Sequence, residues 1–165
     1  FVVPTVGLFA QIMAGEASAH GLSPEVGGYM NIPDLLENSL KTHTELRRRG
    51  IRHLIGGDYG FGWSPQGTQG RDLKSFVDFY GYTPAEALVC ATRNGGLAMG
   101  YGGELGTLEP GKLADLILVD GDPLADISIL AGPDKVVFVM KDGAVQKLSP
   151  TLAARANSPA LEAAE

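Results

Sequence analysis

The chain has 165 residues, 44% hydrophobic and 19% charged, a length and balance that suit one ordinary soluble domain with a real core. A net charge of −6 without a basic stripe argues against a nucleic-acid partner, because phosphates are met mainly by clustered Lys and Arg. No stretch approaches the roughly 18 apolar residues of a membrane span, and neither the basic segment nor the cleavage site of a signal peptide is visible. The single Cys90 cannot close an internal disulfide, which leans towards a reducing, cytoplasmic compartment.

The chain opens on Phe1-Val-Val-Pro-Thr-Val-Gly7, with no initiator Met, and reads as though it starts inside a strand. Residues 1–50 read as strand, loop and helix. The polar stretch from Gly15 to Asn31 is the loop; Pro33 opens the helix, Leu35, Leu36, Leu40 and Leu46 give it a rough apolar face, and Gly50 ends it. Arg47, Arg48 and Arg49 then fall in its last turn, where cations complement the helix dipole.

Residues 51–99 repeat the pattern. The run Ile51-Arg-His-Leu-Ile-Gly-Gly-Asp58 is an apolar strand that presents one carboxylate at its C-terminal tip, followed by the glycine-rich loop Gly60 to Gly67. A helix near Arg71 to Tyr80 comes next, and Thr83-Pro-Ala-Glu86 is a capping box that opens a second helix, closed by Asn94-Gly95-Gly96. Cys90 falls in this helix as core. Strand, helix, strand, helix at this spacing predicts a parallel α/β arrangement. Two units do not close a barrel of eight strands and roughly 250 residues, so either the sheet is small and open or most of a barrel lies elsewhere.

From Glu104 the character changes. Ala114 to Val119 and Lys135 to Met140 are predicted strands, the second joined through Lys141-Asp-Gly143 to the short strand Ala144-Val-Gln146. Asp-Gly between apolar runs is a hairpin signal. The Ala/Pro/Ser-rich tail beyond Ser149, with Glu162 and Glu165, offers little to bury and is expected to be loose or weakly helical.

The Asp58 strand, the helix from Thr83-Pro-Ala-Glu86 to Ala91-Thr-Arg-Asn-Gly95, and the run Leu105-Gly-Thr-Leu-Glu-Pro-Gly-Lys-Leu-Ala-Asp-Leu-Ile-Leu-Val-Asp-Gly-Asp-Pro123 together resemble the C-terminal part of the amidohydrolase superfamily, in its imidazolonepropionase and Xaa-Pro dipeptidase-like branch. The resemblance implies that residues 1–103 are the last two βα units of a (β/α)8 TIM-type barrel. Residues 104–148 would be the C-terminal strands of a small β-sandwich, with 149–165 a loose tail. It also implies one or two divalent metal ions, most simply zinc, of whose ligands only the eighth-strand aspartate carries over, onto Asp58. The family's His-x-His, its mid-barrel Lys or Glu and its later histidines have no counterpart in these residues.

On this reading Asp58 is both metal ligand and the group that takes a proton from a metal-activated water and hands it to the leaving nitrogen. The substrate would be a small cyclic amide or dipeptide-like molecule, and the partners would be the remainder of the barrel and further copies of the chain. Tyr59, Trp63 and Thr5 are the candidates for lining a substrate pocket, with core packing the competing role for each. Where related sequences carry a His-Gly motif, this chain has Gln66-Gly-Thr-Gln69, which puts a histidine contact there in doubt. His53 lies about 16 Å down the strand from Asp58 and, by period-two alternation, on the opposite face, so it should pack against outer helices. His43 is expected on a helix surface or groove, whereas His20 could overhang the site. Three rival readings are an ester or phosphoester hydrolase on the same scaffold, a catalytically incomplete interaction module, and a phosphate cradle over Gly56 to Gly67.

Overall fold

In the computed structural model, which describes residues 1–156, the two strands expected at the chain start and at Ile51 to Asp58 are reduced to one parallel rung between Val2 and His53. Val2 N–H donates to Arg52 O at 3.0 Å and Leu54 N–H to Val2 O at 2.9 Å. This is the pairing of adjacent parallel strands. It extends no further because, among the described residues, no named strand flanks either segment.

The stretch predicted as loop holds two helices and a 3-10 turn. Helix α1 (Val6–Met13) buries Val6, Gly7, Leu8, Gln11 and Ile12, a spacing of three and four that a short apolar run hides from a strand reading. After the 3-10 turn Ser18–His20, α2 (Pro24–Tyr29) starts where Ser23 Oγ accepts the Val26 N–H. Helix α3 (Ile32–Arg48) follows as expected. Its end is a Schellman arrangement, with Gly50 N–H donating to Arg47 O and Ile51 N–H to Leu46 O.

Helix α4 (Arg71–Tyr80) and α5 (Pro84–Ala91) stand where the sequence places them. Both halves of the Thr83–Glu86 capping box form. Asn94-Gly95-Gly96 does not close the helical run; it lies inside a further helix, α6 (Arg93–Ala98), set off from α5 by a bend at Thr92. Tertiary contacts override the weak helix propensity of Gly here. Asn94 Nδ2 donates to His53 O at 3.0 Å, and at Gly96 a side chain would collide with Leu105 O.

Strands β1 (Leu116–Val119), β2 (Val136–Lys141) and β3 (Ala144–Leu148) form an antiparallel sheet in the order β1-β2-β3. Leu116 faces Met140 and Lys141 faces Ala144 across the ladders. Asp142 and Gly143 both have positive φ, 48° and 75°, as a two-residue primed turn requires. Helix α7 (Pro150–Ala156) begins the tail, while the rest of it, with Glu162 and Glu165, lies outside the described residues.

One core gathers Val6, Leu73, Phe76, Tyr80, Tyr82, Ala87, Cys90 and Ile127, so α1, α4 and α5 share it with the 3-10 turn Ile127–Leu130. A second, around Ile12, Ala17 and Ile32, joins α1 to α3 and takes Trp63 onto its flank. No helix among the described residues is long and apolar enough to cross a membrane.

Candidate active site

Asp58 ends the segment that leaves the Val2–His53 rung. Its backbone is left-handed, φ 53°, an unusual conformation that Asp tolerates better than most residues, and its side chain is exposed. Among the described residues no ion pair or hydrogen bond engages its carboxylate. It is therefore an open, hard donor of the kind a divalent cation takes, but a single one: no group of three or more His, Cys, Asp or Glu able to hold a metal occurs among the described residues.

Tyr59 turns away from solvent. Its hydroxyl donates to Gln69 O at 3.4 Å and also approaches the Asp72 carboxyl; burial, and then the neighbouring Asp72, push the phenol well above its usual range. Trp63 stacks on Phe61, ring centres 4.9 Å apart, and lies 5.6 Å from the His20 ring, its inner side against the Ile12 cluster. His20 thus does sit over the loop that follows Asp58. Thr5 is half-buried at the N-cap of α1, with no capping bond from its side chain. Gly60 N–H is bound to Ser64 O and Gly67 N–H to Gln69 Oε1, so two of the donors that a phosphate cradle would need are already spent inside the loop.

Sequence reasoning missed Asp72. It is 5% exposed, in the first turn of α4, and its Oδ2 finds no partner among the described residues. Burial pushes it up to about 6, against the lowering pull of the Tyr59 hydroxyl, Arg71 and the Gly56 backbone. An unpartnered buried polar group of this kind costs about 1–3 kcal/mol. The signal was present: Asp72, Phe76 and Tyr80 recur at i, i+4 and i+8, which puts a carboxylate on the core stripe of the helix.

A second polar cluster lies on the other side of α4 and contains His53, 1% exposed. Its Nδ1 is 3.1 Å from Ile51 O and 2.9 Å from Tyr82 Oη; a carbonyl can only accept, so the proton is on Nδ1. Nε2 must then accept from His43 Nδ1 at 3.0 Å. Burial lowers both histidines, and lifts Tyr82 to about 12 and Cys90 above its ordinary value. Arg47 covers the Tyr82 ring at 4.2 Å, pairs with Glu86 at 2.7 Å and donates to Gly81 O, a larger role than dipole complement. Beside this cluster is a cavity of about 340 Å³ bordered by Arg47, His53, Cys90 and Asn94. His53 packs among helices, as its strand register predicts, and neither this cavity nor the one bordered by Arg93 and Lys112 includes Asp58, Tyr59, Trp63 or Thr5.

An α/β chain whose aspartate is presented from a segment in parallel pairing, with an antiparallel sheet behind it, has the outline of a barrel hydrolase's C-terminal region. Comparison makes the assignment: residues 33–145 match the model of the amidohydrolase family, and the chain belongs to that family. It is 34% identical over 110 residues to imidazolonepropionase of Ralstonia nicotianae, covering 67% of this chain and 27% of that protein. It is 30% identical over 132 residues to ochratoxinase of Aspergillus niger, covering 79% of this chain and 26% of that protein. Among solved structures it resembles a prolidase complexed with N-methylphosphonate-L-proline, with a TM-score of 0.74, 25% identity, and coverage of 90% of this chain and 35% of the other. The structural neighbours are amidohydrolase TIM-barrel proteins. The chain thus spans about a quarter of the length of these two curated relatives.

Proposed function

We propose that these residues are the C-terminal portion of a metal-dependent amidohydrolase that cleaves a C–N bond in a cyclic amide or dipeptide-like substrate. Residues 1–103 supply the last two βα units of a (β/α)8 barrel, and residues 104–148 a share of a β-sandwich. The observation that carries the reading is Asp58: in a chain of this family, an exposed carboxylate without a side-chain partner stands on a left-handed residue just beyond the one parallel rung. The names of the relatives, imidazolonepropionase, ochratoxinase and prolidase, support C–N hydrolysis over ester or phosphoester chemistry.

Asp58 would be one ligand of a zinc or similar divalent ion, in a site of one or two ions whose other ligands lie outside these 165 residues. When bound, such an ion supplies a nucleophilic water at neutral pH and polarises the scissile carbonyl. Asp58 itself accepts a proton on a carboxylate oxygen and returns it to the departing nitrogen. Tyr59 contributes by holding the loop with its buried hydroxyl, while the Phe61, Trp63 and His20 rings offer an apolar flank to a substrate side group. Thr5, at the start of α1, is a further candidate contact.

The test is elemental analysis of the purified full-length protein together with its turnover of cyclic amides and Xaa-Pro dipeptides against matched esters. Bound zinc, preference for the amides, and a fall of about 10³-fold in kcat/KM with Asp58→Ala are expected. Ester preference, or activity that survives both chelation and Asp58→Ala, would sink the reading.

A further inference from the structure

The loop that carries Asp58 rests on a carboxyl group that the proposed reaction does not use. Asp72 is sealed beneath the start of α1: at Gly7 an added Cβ would come within 3.1 Å of Asp72 Oδ1 and 3.3 Å of Ser75 Oγ, so α1 can lie this close only because that residue has no side chain. The Arg71–Glu16 ion pair, 2.6 Å, clamps the other end of α1 to the same turn of α4. Against this fixed carboxyl lie the Gly56 backbone and the Tyr59 hydroxyl, the groups that bracket Asp58 in sequence. The Tyr59 ring in turn folds back over Gly57, where an ideal Cβ would meet ring atoms at 2.6 Å. Between these holds sits Asp58, with its φ of 53°.

We infer that Asp72 is the positioning residue for Asp58: by accepting from the Gly56 N–H and the Tyr59 O–H it pins both sides of the turn, and so fixes the direction in which the Asp58 carboxylate leaves the backbone. The inference rests on the reading of Asp58 as a metal ligand. A merely structural carboxylate would sit at the helix surface and cap free N–H groups. Asp72 instead faces the core stripe, with one oxygen unpartnered among the described residues, and its identifiable partners belong to the loop. Partners of this kind, one step removed from the metal, set ligand orientation, and their loss commonly weakens metal binding 10–100-fold.

The experiment measures zinc affinity of the full-length protein by competition with a chromogenic chelator, with thermal unfolding run on every variant to confirm folding. Asp58→Ala is the control and should lose the metal. Asp72→Ala should weaken zinc about 10-fold, whereas Asp72→Asn, which keeps an acceptor oxygen in place, should stay within about 3-fold of the parent protein. Tyr59→Phe removes only the hydroxyl and should weaken zinc about 3-fold, with no further loss when combined with Asp72→Ala. If Asp58→Ala loses zinc while folded Asp72→Ala and Tyr59→Phe bind it within 2-fold of the parent, the positioning role is overturned and the metal reading stands. Should Asp72→Ala not fold, Tyr59→Phe decides alone by the same limit. Asn failing as badly as Ala would also overturn the hydrogen-bond argument. Zinc retained in Asp58→Ala removes the metal reading, and this inference with it.

Discussion

The helical part of the molecule closes its own core and the three-stranded sheet does not. Phe76 and Ile32 are 1% exposed among packed helices, whereas Ile117 and Leu118 of β1 and Val145 and Leu148 of β3 are each close to half exposed. The difference teaches what holds each region together. Burial holds the helices, while the sheet depends on its ladders, its tight turn and one apolar anchor, Ile127, which enters the helical core. Phe76→Ala should therefore cost about 3–5 kcal/mol in urea unfolding, as the loss of a fully enclosed aromatic does. Ile117→Ala should cost under about 1 kcal/mol. If Ile117→Ala proves as damaging as Phe76→Ala in the full-length protein, the exposed face of the sheet is covered there, and the contrast belongs to these residues alone.

Next in size is His53→Ala, which leaves a cavity and orphans both Tyr82 Oη and His43 Nδ1; about 2–4 kcal/mol is expected. The same cluster gives the helical part an acid sensitivity that the sheet lacks. Burial lowers His53 and His43 from their ordinary value near 6.5, with Arg47 and the chain's amino terminus adding repulsion at His53. The unfolded chain then binds more protons below pH 6.5, so stability is complete above that pH and is lost as pH falls towards the folded values. Equilibrium unfolding at pH 7.5 and 5.5 reads the effect. Combined replacement of His43 and His53 by Gln should flatten that part of the profile even where it lowers the plateau.

The contrast between the regions also explains what was legible in the sequence. Local rules located α3, α4, α5 and the β2–β3 hairpin, because a capping box, a terminal glycine and an Asp-Gly turn act over three or four residues. The two barrel strands were legible as apolar runs but form a single rung, since a parallel strand is completed by neighbours far away in sequence. The short helix α1 was hidden because an eight-residue apolar stretch carries no clear period. At the site, Asp58 could be named from family likeness and strand position. Asp72 could not, because its burial depends on Gly7 of a helix more than sixty residues earlier.

Asp72→Asn should come third in size and opposite in sign. The carboxyl is raised from 3.8 to about 6, so the native state holds its proton more tightly and stability declines as pH climbs from about 4 to 6. By pH 7 the whole penalty is present, on the order of 2–3 kcal/mol for a shift of this size. Asn removes the charge and keeps the shape. It should be more stable than the parent at pH 7, with the gain vanishing near pH 4. A variant no more stable at pH 7 would mean that Asp72 finds in the intact protein a partner that the described residues do not supply.

Gly143→Ala is the smallest change and separates the two regions most cleanly. Gly143 has φ 75°, where an L residue pays about 1 kcal/mol. The turn is tied back to the start of β1, because Asp142 N–H donates to Asp115 Oδ1 at 2.6 Å and Gly143 N–H to Ala114 O at 3.3 Å. Strain at this tip should therefore loosen all three strands together, and hydrogen exchange should quicken at β2 and β3 amides by about fivefold, the factor that 1 kcal/mol gives. The amides of α4 and α5 should keep their protection, since Ile127 reaches their core from a separate turn between β1 and β2. Parallel loss of protection in α4 would show that sheet and helices open as one cooperative unit, and that the exposed sheet owes its order to the core through that single anchor.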